Sequence, residues 1–343
     1  MELSKHFERI FLETKDPFPD ILGQERVKKQ LKSALISGRN IIIVGAPGIG
    51  KTTLAKSIAK LLPEITVNNC GFNCLPENPV CPICKSRKGV KRIKKSGIQR
   101  FVRIQGSPDL TVEDLIGDID PVKALKFGPL SIEAFTPGKI FRANNGVLFF
   151  DEVNRCPEKL QNALLQVLEE KKATIGSYDV DLEANFIFIA TMNPQDTSTE
   201  KLSDVFIDRF DLIYMGYPES LEIEKKIVSE KAKRVAEISF PKKLFDMMIS
   251  FVRLLRESDK LEKKPSVRAS IGLYERALAN ALLEKRKSVV FEDIKEAISS
   301  VLSHRIALKP SIKYLQTPQE FVKEEFASFS QNFKDLKSKG GDL

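Results

Sequence analysis

The run Gly45-Ala46-Pro47-Gly48-Ile49-Gly50-Lys51-Thr52 constrains what this chain can fold into more than any other feature. It follows an apolar stretch read as a strand, Asn40 to Gly45, and opens a helical period, Lys51 to Leu62. A strand that turns through glycines straight into a helix gathers backbone N–H groups into one concavity at the positive end of that helix. Such a cradle suits phosphates, with Lys51 reaching the β- and γ-phosphates of a nucleotide and the Thr52 hydroxyl ligating Mg2+. The expected nucleotide contacts are Gly45, Ala46, Pro47, Gly48, Ile49, Gly50, Lys51, Thr52 and Thr53. A glycine-rich turn without a ligand does not require all of these positions and flanks together.

A second element bears on the same chemistry. Gly146-Val147-Leu148-Phe149-Phe150 reads as a buried strand and ends in Asp151-Glu152. Paired carboxylates at the C-terminal edge of a strand in an open α/β sheet lie where ligands bind. Asp151 suits the Mg2+ shell, and Glu152 suits the orientation and activation of an attacking water. Taken alone, the pair could instead cap a following helix; the phosphate cradle favours the catalytic reading.

Further apolar strands are expected at Gln99 to Gln105, Phe186 to Ala190 and Leu212 to Met215, with helical periods between most of them, for example Pro157 to Glu170. Strands alternating with helices imply a parallel sheet covered on both faces. Residues 1 to 38 read as two amphipathic helical pieces around a break at Asp16-Pro17-Phe18-Pro19. After Pro218 the pattern becomes strand-free and helical to about Ala307, and 310–343 reads as a polar tail with one weak amphipathic period, Phe321 to Phe333. The expected layout is an ATP-binding α/β domain over 1–218, a helical domain over 219–309 and the tail. No apolar stretch approaches the roughly 18 to 20 residues of a membrane span, and the charged N-terminus has no secretory h-region, so a cytoplasmic protein without membrane contact is expected.

With these residues in place, the chain resembles the AAA+ ATPases. Ile21-Leu22-Gly23-Gln24-Glu25 is similar to the segment that lies over the adenine, which implies contacts from Ile21 and Gln24. Ala190-Thr191-Met192-Asn193-Pro194 resembles sensor 1, with Asn193 on the γ-phosphate or the water. Asp208-Arg209-Phe210 resembles the arginine-finger position, and Ser266-Val267-Arg268-Ala269 resembles sensor 2. Read without the resemblance, Arg209 could be a salt-bridged surface residue and Arg268 a packing residue. The resemblance implies a P-loop core with a five-stranded parallel sheet in the order 5-1-4-3-2, followed by an α-helical lid. A finger supplied in trans implies a homo-oligomeric ring, expected as a hexamer.

Two stretches narrow the branch. Gly117 to about Pro137 is too long for a plain connection and resembles the helix-2 insert of the magnesium- and cobalt-chelatase ATPase subunits and their MoxR relatives. Lys171 to Leu182, turning at Gly176-Ser177, reads as the β-hairpin that this clade carries before sensor 1. The insertion 69–97 holds Cys70, Cys74, Cys81 and Cys84, spaced C-x3-C-x6-C-x2-C. In an intracellular chain that spacing, rich in turn residues, fits an all-thiolate Zn2+ site better than disulfides. An iron–sulfur cluster, a redox pair and unliganded thiols remain open. Cys156 reads as structural.

The charge is local. The formal excess is +9, and Lys85 to Arg103 alone contains nine basic residues and no acidic one, so the rest of the chain is neutral. That run could meet nucleic acid or an acidic partner, yet its one aromatic residue, Phe101, belongs to the next strand, so it gives no base-stacking platform; a solvated loop is the plainer expectation. The leading functional reading is Mg2+-dependent ATP hydrolysis by a ring-forming motor of the chelatase-subunit-I or MoxR type that remodels a partner protein. The implied partner is an adhesion-domain protein, with metal-cofactor insertion on another subunit. The alternatives are a nucleic-acid motor or loader of the related helicase branch, disfavoured by Asp179, Asp181 and Glu183 in the hairpin, and a nucleotide-dependent assembly switch.

Overall fold

The computed structural model describes residues 3–86, 89–128, 131–175, 180–194, 202–233 and 237–339. The chain divides into two compact units, one of Met1–Ile21, Glu25–Gly45 and Gly50–Met215, the other of Leu22–Gln24, Ala46–Ile49 and Gly216–Leu343.

The first unit is built on five parallel strands: β1 (Asn40–Val44), β2 (Phe101–Gln105), β3 (Val147–Asp151), β4 (Ile187–Met192) and β5 (Phe210–Tyr214). Their order across the sheet is β5-β1-β4-β3-β2, the expected 5-1-4-3-2. The central strands are continuous apolar runs because both faces are covered by helices, and Ile41, Ile42 and Ile43 are fully buried. Register aligns Ile42 with Ala190 and Leu212, Ala190 with Phe150, and Phe150 with Ile104. This alignment brings the C-terminal ends of β1, β4, β3 and β2 level, although up to about 150 residues separate them in sequence. β4 extends two residues further and β5 starts two residues earlier than their hydropathy predicts, because pairing continues past the apolar stretch.

Both inserts are hairpins on this unit. Gly117–Ile119 pairs antiparallel with Phe135–Pro137, and the helix Pro121–Phe127 lies between them, capped by the Asp120 carboxylate on the Val122 and Lys123 amides. Lys172–Ile175 pairs antiparallel with Val180–Glu183 immediately before β4; the expected turn at Gly176-Ser177 falls outside the described residues.

The basic stretch differs from the solvated loop expected of it. Arg92–Lys95 forms a strand antiparallel to Ile65–Asn68, Arg100 is buried with its guanidinium on the Asn145 and Pro63 carbonyls, and Arg103 lies on β2. Among the described residues of this stretch, Arg92, Lys94 and Lys95 lie on a hairpin strand, Arg100 is interior and Arg103 is on the edge strand of the sheet. Composition hides this because a short basic strand held by backbone pairing has no hydropathic signature.

The second unit has its own core, drawn from helices Leu221–Lys231, Lys242–Glu257, Val267–Leu283 and Phe291–Leu302. It is not strand-free, since Leu261–Lys263 pairs with Ala307–Leu308. The stretch read as a polar tail contains a 22-residue helix, Pro318–Lys339, whose Phe321, Val322 and Phe326 are buried in that core. Its apolar positions are few but are spaced on one face, where Phe326 meets Phe251 and Phe291.

Candidate functional site

In the first unit, β1 ends at Val44, the amide of Gly45 donates to the Met192 carbonyl at the end of β4, and the helix Lys51–Leu61 begins after Gly50. Gly50 has φ +107°, a left-handed geometry that side-chain-bearing residues rarely adopt, and it turns the chain into the helix. Lys51 is buried, and its Nζ donates to the Gly45 carbonyl at 2.5 Å, folding the ammonium back over the loop. Thr52 and Thr53 follow in the first helical turn, where free N–H groups and the helix dipole favour anions.

The two carboxylates are held by residues that their own motif does not name. Asp151 Oδ1 accepts from Thr191 Oγ1 at 2.6 Å, and Asp151 Oδ2 accepts from Arg103 at 2.6 Å. Glu152 Oε2 accepts from Gln105 Nε2 at 2.9 Å and pairs with Arg155 at 3.2 Å. The Glu152 amide donates to Thr191 Oγ1, so one fully buried threonine on β4 orients both acidic positions. Glu152 itself has φ +58°, an uncommon backbone geometry for a non-glycine residue and one that clusters at functional sites. Gly106, directly after β2, passes so close that a Cβ there would lie 2.0 Å from the Glu152 carbonyl, while its amide donates to the Asp151 carbonyl at 2.7 Å.

Asn193 follows the end of β4, and its carbonyl accepts from the buried Asn154 at 3.4 Å. Lys51, Thr52, Asp151, Glu152 and Asn193 thus all occupy the C-terminal ends of β1, β3 and β4 or the residues just beyond them. Arg209 lies elsewhere, in the turn before β5, where it pairs with Glu169 and donates to the Val205 carbonyl at 2.9 Å. Ile21 is buried in this unit.

In the second unit, Gln24 has φ +59° and donates its amide to the Gly216 carbonyl at 3.0 Å. Arg268 is exposed on the first turn of the helix Val267–Leu283, and a Cβ on Gly48 would lie 3.0 Å from its Cδ and 2.8 Å from Ser266 Oγ. Ala46, Pro47 and Ile49 belong to this unit with Gly48.

The four cysteines of the insertion converge. The Sγ atoms of Cys70, Cys74, Cys81 and Cys84 lie within 4.8 Å of one another, and all but Cys70 are buried. Four thiolates around one Zn2+, at about 2.3 Å each, stand about 3.8 Å apart, so the donor set fits such an ion with little movement. The Cys81 amide points to Cys74 Sγ and the Cys84 amide to Cys81 Sγ, each at 3.4 Å, which favours sulfurs carrying negative charge. Hydrogen bonds from the Cys74 and Cys81 thiols hold Cys70 well below the ordinary thiol range, whereas hydrogen bonds with Cys70 and Cys74 push Cys81 up and burial pushes Cys84 up to about 11. Without a cation, Cys70 gives up its proton and the other three sulfurs keep theirs; a divalent ion reverses the preference of those three. The loop is strapped to the chain that enters β3: Asn144 donates to the Phe72 carbonyl, Asn145 to the Asn73 carbonyl, and Asn73 to the Arg142 carbonyl.

Among the described residues, no helix is long and apolar enough to cross a membrane. The signature of magnesium chelatase, subunit ChlI, matches residues 17–73, that of the ATPase family associated with various cellular activities (AAA) matches 81–212, and that of the AAA lid domain matches 255–325. The chain is 29% identical to a magnesium-chelatase subunit ChlI homolog of Methanocaldococcus jannaschii, covering 94% of this chain and 93% of that protein. It is 28% identical to the chloroplastic magnesium-chelatase subunit ChlI-2 of Arabidopsis thaliana, over 86% and 76%. A solved mutant of Thermotoga maritima RuvB shares the fold, with a TM-score of 0.50 and 18% identity over 85% of this chain and 74% of that one. With its sheet order and the AAA and AAA-lid matches, the chain is an AAA+ ATPase, and it is similar to the magnesium-chelatase I subunits.

Proposed function

We propose that this ATPase spends its turnover on remodelling a partner protein, as a ring-forming motor of the chelatase-subunit-I type. The observation that carries the reading is the constellation at the strand ends: a glycine cradle with Lys51 at a helix start, and Asp151 and Glu152 fixed by a shared threonine. ATP phosphates lie along Gly45 to Thr53, with Lys51 turning from the Gly45 carbonyl to the β- and γ-phosphates. Thr52 and Asp151 hold Mg2+, which supplies charge neutralisation on the phosphates when bound. Glu152 orients and deprotonates the attacking water, and Gln105 and Arg155 keep its carboxylate aimed until the water arrives. Asn193 reports the γ-phosphate. Ile21 and Gln24 are the assigned adenine contacts, and Arg268 is the assigned sensor-2 contact to the phosphates.

Arg209 serves as a finger for a neighbouring subunit, which makes the active species an oligomer. The relatives named as magnesium-chelatase subunits support a client that handles a metal cofactor, such as an adhesion-domain protein. Zn2+ on Cys70, Cys74, Cys81 and Cys84 is structural: it fixes a loop whose residues buttress the entry to β3. The pairing of Arg92–Lys95 in a hairpin and the burial of Arg100 support the protein-remodelling reading over a nucleic-acid motor.

The decisive variant is Glu152→Gln. It should retain ATP binding, measured with a fluorescent nucleotide, while turnover falls by about 100-fold or more. The same variant, used as a trap in the native host, should retain the client for mass spectrometry. Unaltered hydrolysis would remove Glu152 from the water-orienting role.

A further inference from the structure

One buried ion pair in the second unit has no role in the chemistry above. Glu224, on the helix Leu221–Lys231, is fully buried, and both of its oxygens accept from the guanidinium of Arg256, on the helix Lys242–Glu257, at 2.6 and 2.7 Å. Replacing such a pair by packed apolar side chains is commonly neutral or stabilising, so stability is a weak reason for it to exist. What it touches gives a better one.

Arg256 has contacts in two directions. Its Nε donates to the Pro265 carbonyl at 2.8 Å, immediately before Ser266, which occupies the N-cap position of Arg268's helix without a side-chain cap hydrogen bond. Ser270, on the first turn of that helix, donates to Glu224 Oε1 at 2.5 Å. In the other direction the guanidinium lies 4.8 Å from the centre of the Tyr217 ring. The Tyr217 and Gly216 carbonyls receive the Gln24 amide, and Arg253, 3.6 Å from Glu224, donates to the Pro218 carbonyl. The segment 216–218 and the first turn of Arg268's helix are thereby fixed to the same two charges.

We infer that Glu224 and Arg256 form a positioning pair, which sets the orientation of Arg268 relative to the segment that Gln24 grips. This rests on the reading of Arg268 as a nucleotide-contacting residue. A planar guanidinium is suited to the task because its five donors leave along fixed directions, so the carboxylate, the carbonyl and the ring are held at set angles to one another. A lysine at this position keeps the charge and loses that geometry.

The test is a double-mutant cycle in the full-length protein, with kcat and KM for ATP as readouts and thermal unfolding measured alongside. Arg256→Lys should lower kcat by about tenfold, the scale of one charge-assisted hydrogen bond, and should lower it no further in an Arg268→Ala background. If Arg256→Lys does not fold, Ser270→Ala, which removes only the hydroxyl contact to Glu224, enters the same cycle with the same expectation of non-additivity. Equal factors in both backgrounds would overturn the positioning role while leaving Arg268 in the site. A full effect of Arg256→Lys beside a silent Arg268→Ala would overturn both. An unchanged kcat in Arg256→Lys would overturn the pair alone.

Discussion

At the residue scale, the acidic pair is governed by neighbours from other strands. Thr191, Arg103 and Gln105 reach Asp151 and Glu152 across sequence separations of 40, 48 and 47 residues. Gly106 is the tightest of these neighbours. Because a Cβ there would stand 2.0 Å from the Glu152 carbonyl, Gly106→Ala must displace the backbone of one residue or the other. A shift of about 1 Å at a reacting group costs on the order of a hundredfold in rate, so turnover should fall by that factor while nucleotide binding persists. Steady-state hydrolysis beside fluorescent-nucleotide titration checks this, and wild-type kcat in the variant would show that the close approach is inconsequential. The residues read from the sequence, Lys51, Thr52, Asp151 and Glu152, are those whose chemistry is announced by local spacing. Arg103, Gln105, Gly106 and Thr191 were illegible because only sheet register brings them to the acids.

At the scale of elements, the cysteine loop depends on what surrounds it. Phe72, Cys74, Cys81 and Cys84 belong to the same core as Phe135 and Phe141, so the loop packs on the helix-2 insert and on the chain leading into β3. Purified protein should contain about one zinc per chain. Cys81→Ser should lose that metal, lower the unfolding temperature and weaken hydrolysis through β3; elemental analysis, calorimetry and steady-state hydrolysis read the three effects, and a metal-free preparation of full stability would sink the zinc assignment. The spacing of the cysteines was readable because ligands must recur at intervals a turn can span. The hairpin that carries them, Ile65–Asn68 with Arg92–Lys95, was not, since its strands are short and one is almost wholly basic. The helix Pro318–Lys339 was underestimated for a related reason, because three buried side chains suffice to dock it.

At the scale of the whole molecule, the alternation of strands and helices was enough to give a covered parallel sheet, and the resemblance supplied the strand order that register bears out. How subunits meet is a question for mixtures. If Arg209 acts on a neighbour's nucleotide, combining inactive Arg209→Ala and Glu152→Gln subunits should restore part of the activity through mixed interfaces; no recovery at any ratio would argue for an arginine that works within its own chain. The ion pair between Arg209 and Glu169 then takes on a second meaning. If Arg209 is a finger for a neighbour, a lone subunit pairs it with Glu169 instead, and joining a ring would exchange that carboxylate for the neighbour's phosphates. Glu169→Gln releases the arginine: half-maximal hydrolysis should then be reached at a lower protein concentration, with less dependence on salt.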